Sequence, residues 1–386
     1  MNLSRSTTAR LENLAAWFAA SVMVTAGVIY ALDFQERPTS RGNRNNPLPA
    51  YVPPRATPAQ EPIHLQRQRA AEPGRGREAH APTQIPRPGW KDVIVRTYHE
   101  VLDDRLLALA AGVAFYSLVA LFPAIAAGVS VYALFADAAT IAGHLSAASN
   151  IIPAAGLDIL SQEIARLAAK SDGRLTVGFL VGLAIALWSA NAGMKAIFDA
   201  LNVIYDETEK RSFVRLNLVS LFFTVCAIAA AGLAGALVVV FPLLLAAFGM
   251  SVIDLPFIAY LRWPLMFVLL ILALAVLYRY GPSRRRARWR WLSIGSVLAA
   301  LAWLAVSALF SWYLGNIANY NATYGALGAV IGLMMWIWLS TIVILVGAEL
   351  NSEIEHQTAR DSTVGPEKPL GLRGAVMADT VGRRQG

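Results

Sequence analysis

One cysteine, Cys226, occurs in 386 residues. No disulfide can close within the chain, and no cysteine cluster can hold a metal. Cys226 lies in an apolar run, where a small space-filling role is expected. Histidine is nearly as scarce: His64, His80, His99, His144 and His356 are scattered and form no H-x-H or H-E-x-x-H spacing. Each is expected to be solvated, and a hydrolytic metal centre is disfavoured. No G-x-x-x-x-G-K-[ST] loop is present, so any ATP drive would need a partner. Charge is also thin, at 15% of residues against 56% hydrophobic, with a mean hydropathy of +0.50. A soluble domain could not easily cover that much apolar surface.

What charge there is lies segregated. Arg290 and Glu349 are separated by 58 uncharged residues, Arg215 and Asp254 by 38, and Arg105 and Asp137 by 31. An α-helix rises about 1.5 Å per residue, so about 20 apolar residues cross the ~30 Å hydrocarbon layer. The pattern predicts an all-α, polytopic membrane bundle. Its six core spans fall near 106–135, 175–193, 216–245, 256–278, 292–314 and 324–348. Pro123, Pro242 and Pro264 are expected to bend three of them. Between the first two runs, Leu157, Leu160, Ile164 and Leu167 share one helical face, predicting an amphipathic helix on the outer side that lies on the membrane, caps a cavity or packs on the bundle end.

Four regions follow. Residues 1–32 hold an uncharged stretch (14–32) that predicts an anchor or an extra span. Residues 33–90 hold eleven of the nineteen prolines and eight arginines from Arg41 to Arg87. That composition predicts a disordered basic linker, which contacts anionic lipid heads more readily than nucleic acid because aromatics for base stacking are nearly absent. Residues 91–355 form the membrane domain. Residues 356–386, with Gly365-Pro366, Pro369, Gly371 and Gly374, predict a weakly structured tail.

Loop charge sets orientation. Ten Lys and Arg follow spans two and four, against four (Arg166, Lys170, Arg174 and Arg262) in the opposite loops. Both ends of the core are therefore expected on the cytoplasmic side.

Several motifs nominate residues for function or helix pairing. In "LAAGVAFYSLVALFPAI", Ala111, Gly112, Ala114 and Ala120 predict close helix approach. In "LWSANAGMKAIFDALNVIYDE", Asp199 and Asn202 are three apart and expected on one face; a buried Asp199 would want a cation or donors. "LYRYGPSRRRARWRWL" places Arg279 at a helix end, followed by a cationic anchor from Arg284 to Arg290, with Trp289 and Trp291 at head-group level. In "YNATYGALGAVIGLMMWIWLSTIVILVGAEL", Gly325, Gly328 and Gly332 predict a groove that takes a neighbouring helix or lines a cavity. At the other end of that segment Glu349 opposes the helix dipole, so it is expected to pair with Arg279 or another basic residue.

These motifs, together with "ARDSTVGPEKPLG", resemble the YihY/BrkB family of bacterial inner-membrane proteins over roughly residues 90–375, in order. The resemblance implies a six-helix inner-membrane bundle with cytoplasmic core ends. It supplies no catalytic residues and no cofactor. Family labels of ribonuclease and of virulence factor attach to it, the first regarded as mistaken, and members are often called transporters.

Three functions are then weighed. A transporter moving an amphipathic or anionic molecule, such as a lipid precursor, fits a bundle with small-residue grooves, prolines inside spans and polar inner ends. A structural or regulatory protein binding partners through its tails is the second. A ribonuclease is the third and weakest, lacking clustered ligands. Membrane lipids are the expected surroundings, with an unknown small-molecule or lipid substrate and no nucleic acid.

Overall fold

The computed structural model describes residues 61–132, 177–235, 256–316 and 326–385. The expected anchor at 14–32, the start of the linker, the outer amphipathic helix and Pro242 lie outside these residues. Nine α-helices occur among them: α1 (Ile63–Ala70), α2 (Arg87–Asp103), α3 (Leu106–Tyr132), α4 (Val177–Ile204), α5 (Phe213–Gly235), α6 (Pro256–Tyr280), α7 (Ser293–Asn316), α8 (Ala326–His356) and α9 (Val376–Asp379). Short 3-10 turns lie at Pro82–Gln84 and Trp289–Trp291. No strand occurs among the described residues; one isolated antiparallel bridge joins Ala287 to Thr363.

Five helices carry segments long and apolar enough to cross a bilayer: Val181–Ile204, Phe213–Gly235, Trp263–Tyr280, Ser293–Asn316 and Val330–His356. Helices α2 and α3, bent by 60°, pass the same test when taken as one broken span. The break falls at Arg105, whose φ of 50° is left-handed. Pro123 and Pro264 sit inside α3 and α6 as expected. Large apolar side chains face outward along the bundle, among them Phe115, Phe222, Leu309 and Trp312. In water such a surface would be untenable; in lipid it is the expected exterior, because the helices satisfy their own backbone groups.

The core sits towards the charged end of the bundle. Leu106 and Ala110 of α3, Leu201 of α4, Tyr278 of α6, Ala300 of α7 and Leu345 of α8 form one buried cluster. Helix α8 is its axis, packing on α2, α3, α4, α7 and α9. It crosses α7 almost backbone to backbone: a Cβ on Gly295 would lie 2.4 Å from the Gly347 carbonyl oxygen, and one on Gly347 2.6 Å from Ala299 Cβ. Small residues allow such approach in lipid, where dispersion and interhelical hydrogen bonds replace the hydrophobic effect as the driving force. Paired Trp–Ser bonds reinforce the crossing: Trp303 Nε1 donates to Ser340 Oγ (3.0 Å) and Trp336 Nε1 to Ser307 Oγ (3.3 Å).

Helices α3 and α4 meet at Gly193, where a Cβ would stand 3.3 Å from Ser117 Cα. Ala114 and Ala120 are buried there as expected, whereas Ala111 and Gly112 face outward. Cys226 is exposed on α5 and fills no internal space.

Two helix ends differ from expectation, for one reason. Helix α4 runs on to Ile204 and α8 to His356, because the polar residues that seemed to mark the exit from lipid are buried under chain segments. Those segments are residues 61–90 and the tail. Residues 61–90 do not form a disordered linker: Arg77 is buried, donating to Glu72 and to the backbone oxygens of Gln357 and Gly382. Nor is the tail weakly structured. Arg373 donates to the carbonyls of Ala359, Arg360, Lys368 and Ala378, and Asp379 accepts from the amides of Arg373 and Gly374. Gly365, Gly371 and Gly374 adopt positive φ, where glycine carries no steric penalty. Composition alone forecast insufficient apolar burial; this region buries polar groups instead, and bonds satisfy them.

Candidate functional site

The last turns of α8, "GAELNSEIEHQT", act as a hub in which successive residues tie different elements. Asn351 Oδ1 accepts the Gly295 amide at 2.9 Å, and its Nδ2 donates to the Leu292 carbonyl at 3.2 Å. It thereby satisfies an orphan donor in the first turn of α7 from another helix. Ser352 Oγ donates to the carbonyl of Ile204, the last residue of α4, at 3.1 Å. Glu353 accepts from Arg96 of α2, both side chains buried. Glu355 pairs with Arg284 at 2.7 Å, also buried, and accepts from Ser362 Oγ at 2.6 Å. Beyond the helix end, Gln357 Nε2 donates to the Arg75 carbonyl at 2.8 Å.

Glu349 stands inside this hub at 1% exposure, and neither of its carboxylate oxygens has a hydrogen-bond partner. The expected Arg279–Glu349 pair is not formed. Arg279 instead lies over the Trp289 ring at 4.2 Å, with its Nε and Nη1 unpartnered. Because α8 continues for two further turns, Glu349 is not in its last turn and does not oppose the dipole there. The acid–base locks fall on Glu353 and Glu355 instead. His356, expected to be solvated, is buried with Nδ1 3.5 Å from Glu353 Oε1; His64, His80 and His99 are exposed as expected.

Asp199 and Asn202 do not share an environment. Asp199 is exposed on α4. Asn202 is buried, donating to Glu209 Oε2 (3.1 Å) and accepting the Ser283 amide (2.7 Å). It fastens α4 to the α6–α7 loop. Burial pushes Glu209 up, but hydrogen bonds from the Arg211 side chain and backbone and from Asn202 outweigh it and hold the carboxyl down at about 2. Gly328 and Gly332 are buried, yet among the described residues a Cβ on Gly332 would meet nothing within 4 Å. Gly325 lies outside the described residues.

Acidic groups gather where α2 meets α3 and α4 ends. Burial, then repulsion from Asp206, Glu100, Asp103 and Glu353, pushes Asp104 up to about 7. Asp206 is likewise raised, by burial first, against the pull of His356. Its φ of 51° terminates α4, with the Glu207 amide donating back to the Asn202 carbonyl at 2.8 Å. Among the described residues, no group of three or more His, Cys, Asp or Glu is arranged to hold a metal ion.

Beside the hub a cleft of about 570 Å³ opens between α5, α6 and the α6–α7 loop. Lys210, Arg211 and Arg215 line one side, Arg279 and Arg284 to Arg286 the other, and among the described residues no carboxylate lines it. Its apolar wall is Leu218, Val219, Phe222 and Phe223 of α5 with Val276 of α6. Arg284 belongs to both places: its side chain is 1% exposed, it pairs with Glu355, and it stacks 4.1 Å from the Tyr205 ring centroid. The sequence-based reading took Arg284 as part of a head-group anchor and missed this role. It also put Trp291 at head-group level, where the structure buries it. The signal was present in the run Glu349, Glu353, Glu355: a spacing of four keeps the first two acids on one helical face, and a further two residues send Glu355 to another.

The profile of the family described as virulence factor BrkB matches residues 97–370. The chain is 34% identical over 195 residues to a putative ribonuclease-like protein, YfkH, of Bacillus subtilis, covering 47% of this chain and 66% of that one. It is 30% identical over 222 residues to a UPF0761 membrane protein of Alkalilimnicola ehrlichii (56% and 47%). With a UPF0761 membrane protein of Pseudoalteromonas translucida it shares 25% identity over 280 residues (71% and 89%). The alignments thus span about two thirds of the first relative's length and about half of the second's. No solved structure matches the chain.

Proposed function

Since the chain belongs to the virulence factor BrkB family of membrane proteins, we propose that it is an inner-membrane transporter for an anionic amphiphile, with the α8 hub and the cleft at the cytoplasmic end. The observation that carries this reading is the cleft: seven cationic side chains, no carboxylate among the described lining residues, and an apolar wall continuous with the outward face of α5. Phe222 on that wall is 64% exposed, so an apolar chain can leave the cleft sideways without crossing a polar surface. Charge complementarity selects and concentrates an anion, while apolar wall and lipid accept the rest of the molecule. The excess of Lys and Arg in the flanking loops supports the cytoplasmic assignment.

The tail-binding reading is weaker, because Asp361, Arg373 and Asp379 already bond within the tail and hub. A nuclease reading has no support from these residues, and the words "ribonuclease-like" belong to the name of the Bacillus relative. Flux of a fluorescent short-chain anionic lipid across proteoliposomes tests the proposal. Transport by the wild type that falls sharply in Arg279→Gln is expected; equal flux in wild type and empty vesicles would end it. Labelling of an engineered Arg286→Cys from the cytoplasmic side only is the expected topology.

A further inference from the structure

The charges of the cleft are not equally available. Arg211 is held by Glu209 at 2.7 Å and Lys210 by Glu207 at 2.6 Å. Arg286 lies over the Tyr280 ring at 4.9 Å, and Arg215 is exposed. The remaining three, Arg279, Arg284 and Arg285, together have five buried guanidinium nitrogens without a hydrogen-bond partner: Nε and Nη1 of Arg279, Nε and Nη2 of Arg284, and Nη1 of Arg285. Arg279 is 9% exposed. Buried donors left unsatisfied are rare and call for an acceptor. Guanidinium is always charged and presents planar forks of donors, so the acceptor it fits is an oxyanion.

We propose that Arg279, Arg284 and Arg285 form the head-group site for a phosphate monoester carried on an apolar chain. The inference rests on the transport reading only for its setting, since binding can be measured without flux. The donor set chooses among oxyanions. A carboxylate offers two oxygens and one charge, and a phosphodiester likewise has two non-bridging oxygens and one charge. A phosphate monoester offers three acceptor oxygens and a charge of about −1.5 to −2 near neutrality. Five unpartnered nitrogens, on Arg279, Arg285 and the Glu355-paired Arg284, are best matched by the last. Each cation is also held in place: Arg279 is stacked on Trp289, Arg284 is paired with Glu355, and Arg285 receives the backbone of the tail through its own amide, which donates to the Gly374 carbonyl at 3.0 Å.

The chain direction follows from the wall. Leu218, Phe222, Val225 and Leu233 all face outward on α5, and residues 218 to 233 of a helix rise roughly 22 Å. That is room for a long acyl or isoprenoid chain lying along α5 in the bilayer, with its phosphate in the cleft.

The test uses the full-length protein in a non-ionic detergent, titrated with dodecyl phosphate, dodecanoate and inorganic phosphate. Fluorescence of Trp289, isolated by comparison with Trp289→Phe, reports binding. Dodecyl phosphate is expected to bind at least roughly tenfold tighter than dodecanoate, and inorganic phosphate weaker than both. Arg279→Gln and Arg285→Gln should each weaken dodecyl phosphate by about tenfold or more, whereas exposed Arg290→Gln should not. Phe222→Ser should weaken dodecyl phosphate and leave inorganic phosphate unchanged. Equal affinity for dodecanoate would overturn the phosphate assignment. Inorganic phosphate binding as well as dodecyl phosphate would mean a free-phosphate site and overturn the lipid assignment. An equal loss in Arg290→Gln would reduce the effect to general surface charge and overturn the site. Arg284 is left intact because its pairing with Glu355 also holds the hub. Binding without flux in proteoliposomes would leave the site standing and remove transport; flux indifferent to Arg279 and Arg285 would do the reverse.

Discussion

Two groups of buried arginines lie at the same end of the molecule and are used in opposite ways. Arg96 and Arg373 give their guanidinium nitrogens to carboxylates and carbonyls of the hub and tail. Arg279 makes no hydrogen bond with its buried nitrogens and rests on an aromatic face. Sequence context does not separate them, since each is an arginine near the end of an apolar or polar run. Partnering does: the first group closes the structure on itself, and the second keeps buried donors unpartnered beside a cleft. Desolvated charges without partners are costly, so retaining them points to a partner from outside the chain.

The largest expected effect breaks the closed group. Glu353→Ala leaves the Arg96 guanidinium buried without its carboxylate and should cost about 3–5 kcal/mol, read as lost thermal stability of the purified protein in detergent. Arg279→Gln, which removes a buried and unpartnered charge, should leave stability unchanged or raise it while abolishing most anion binding. If the two variants lose similar stability, the contrast fails.

A second contrast concerns glycines on α8. Gly347→Ala forces a methyl against Ala299 and the Tyr278 hydroxyl, which a Cβ would approach to 2.6 and 2.7 Å; about 1–3 kcal/mol should be lost. Gly332→Ala meets open space and should be neutral or slightly stabilising, by up to about 1 kcal/mol from helix propensity. Thermal unfolding of both variants checks this.

Glu349 and Glu353 sharpen the comparison within one helix. Glu353 has partners and Glu349 has none. Glu349→Gln should therefore lie within about 1 kcal/mol of wild type or above it, unlike Glu353→Ala. A large loss would show that Glu349 has a partner after all.

The smallest effects are in the pH dependence. Asp104 titrates in the folded protein at about 7, above its ordinary 3.8. Its raised value means the stabilising, protonated form is complete below about 4 and is lost as pH rises through 7. Asp104→Asn should gain on wild type across that window. Glu209 has the opposite sign: held at about 2 instead of 4.5, it stabilises above 4.5 and that contribution fades as pH falls towards 2. Melting temperature against pH for wild type, Asp104→Asn and Glu209→Gln checks both signs.

Much of the fold was legible in sequence because lipid imposes a strong rule: uncharged runs long enough to span must be helices. The family followed from long motifs in order. The hub was less legible. Glu353, Glu355, Arg96 and Arg284 look like solvated termini, and only the three-dimensional return of residues 61–90 and the tail onto α8 buries them. Composition forecasts whether a segment can bury apolar area, but it is silent on whether polar groups will find one another across nearly three hundred residues, as Arg77 and Gln357 do. The candidate pair Arg279–Glu349 was close in concept and wrong in register. The lock lies at Arg284–Glu355, five and six residues further along the two segments.

The central claim is that the open arginines receive the phosphate of a membrane amphiphile. An electron cryomicroscopy map of the protein extracted into nanodiscs with its native lipids tests it directly. The account predicts elongated density with its head at hydrogen-bonding distance, about 3 Å, from Arg279 and Arg285 and its tail along Leu218 and Phe222. A cleft containing only water-sized density, with ordered lipid instead in the groove at Gly328 and Gly332, would contradict it.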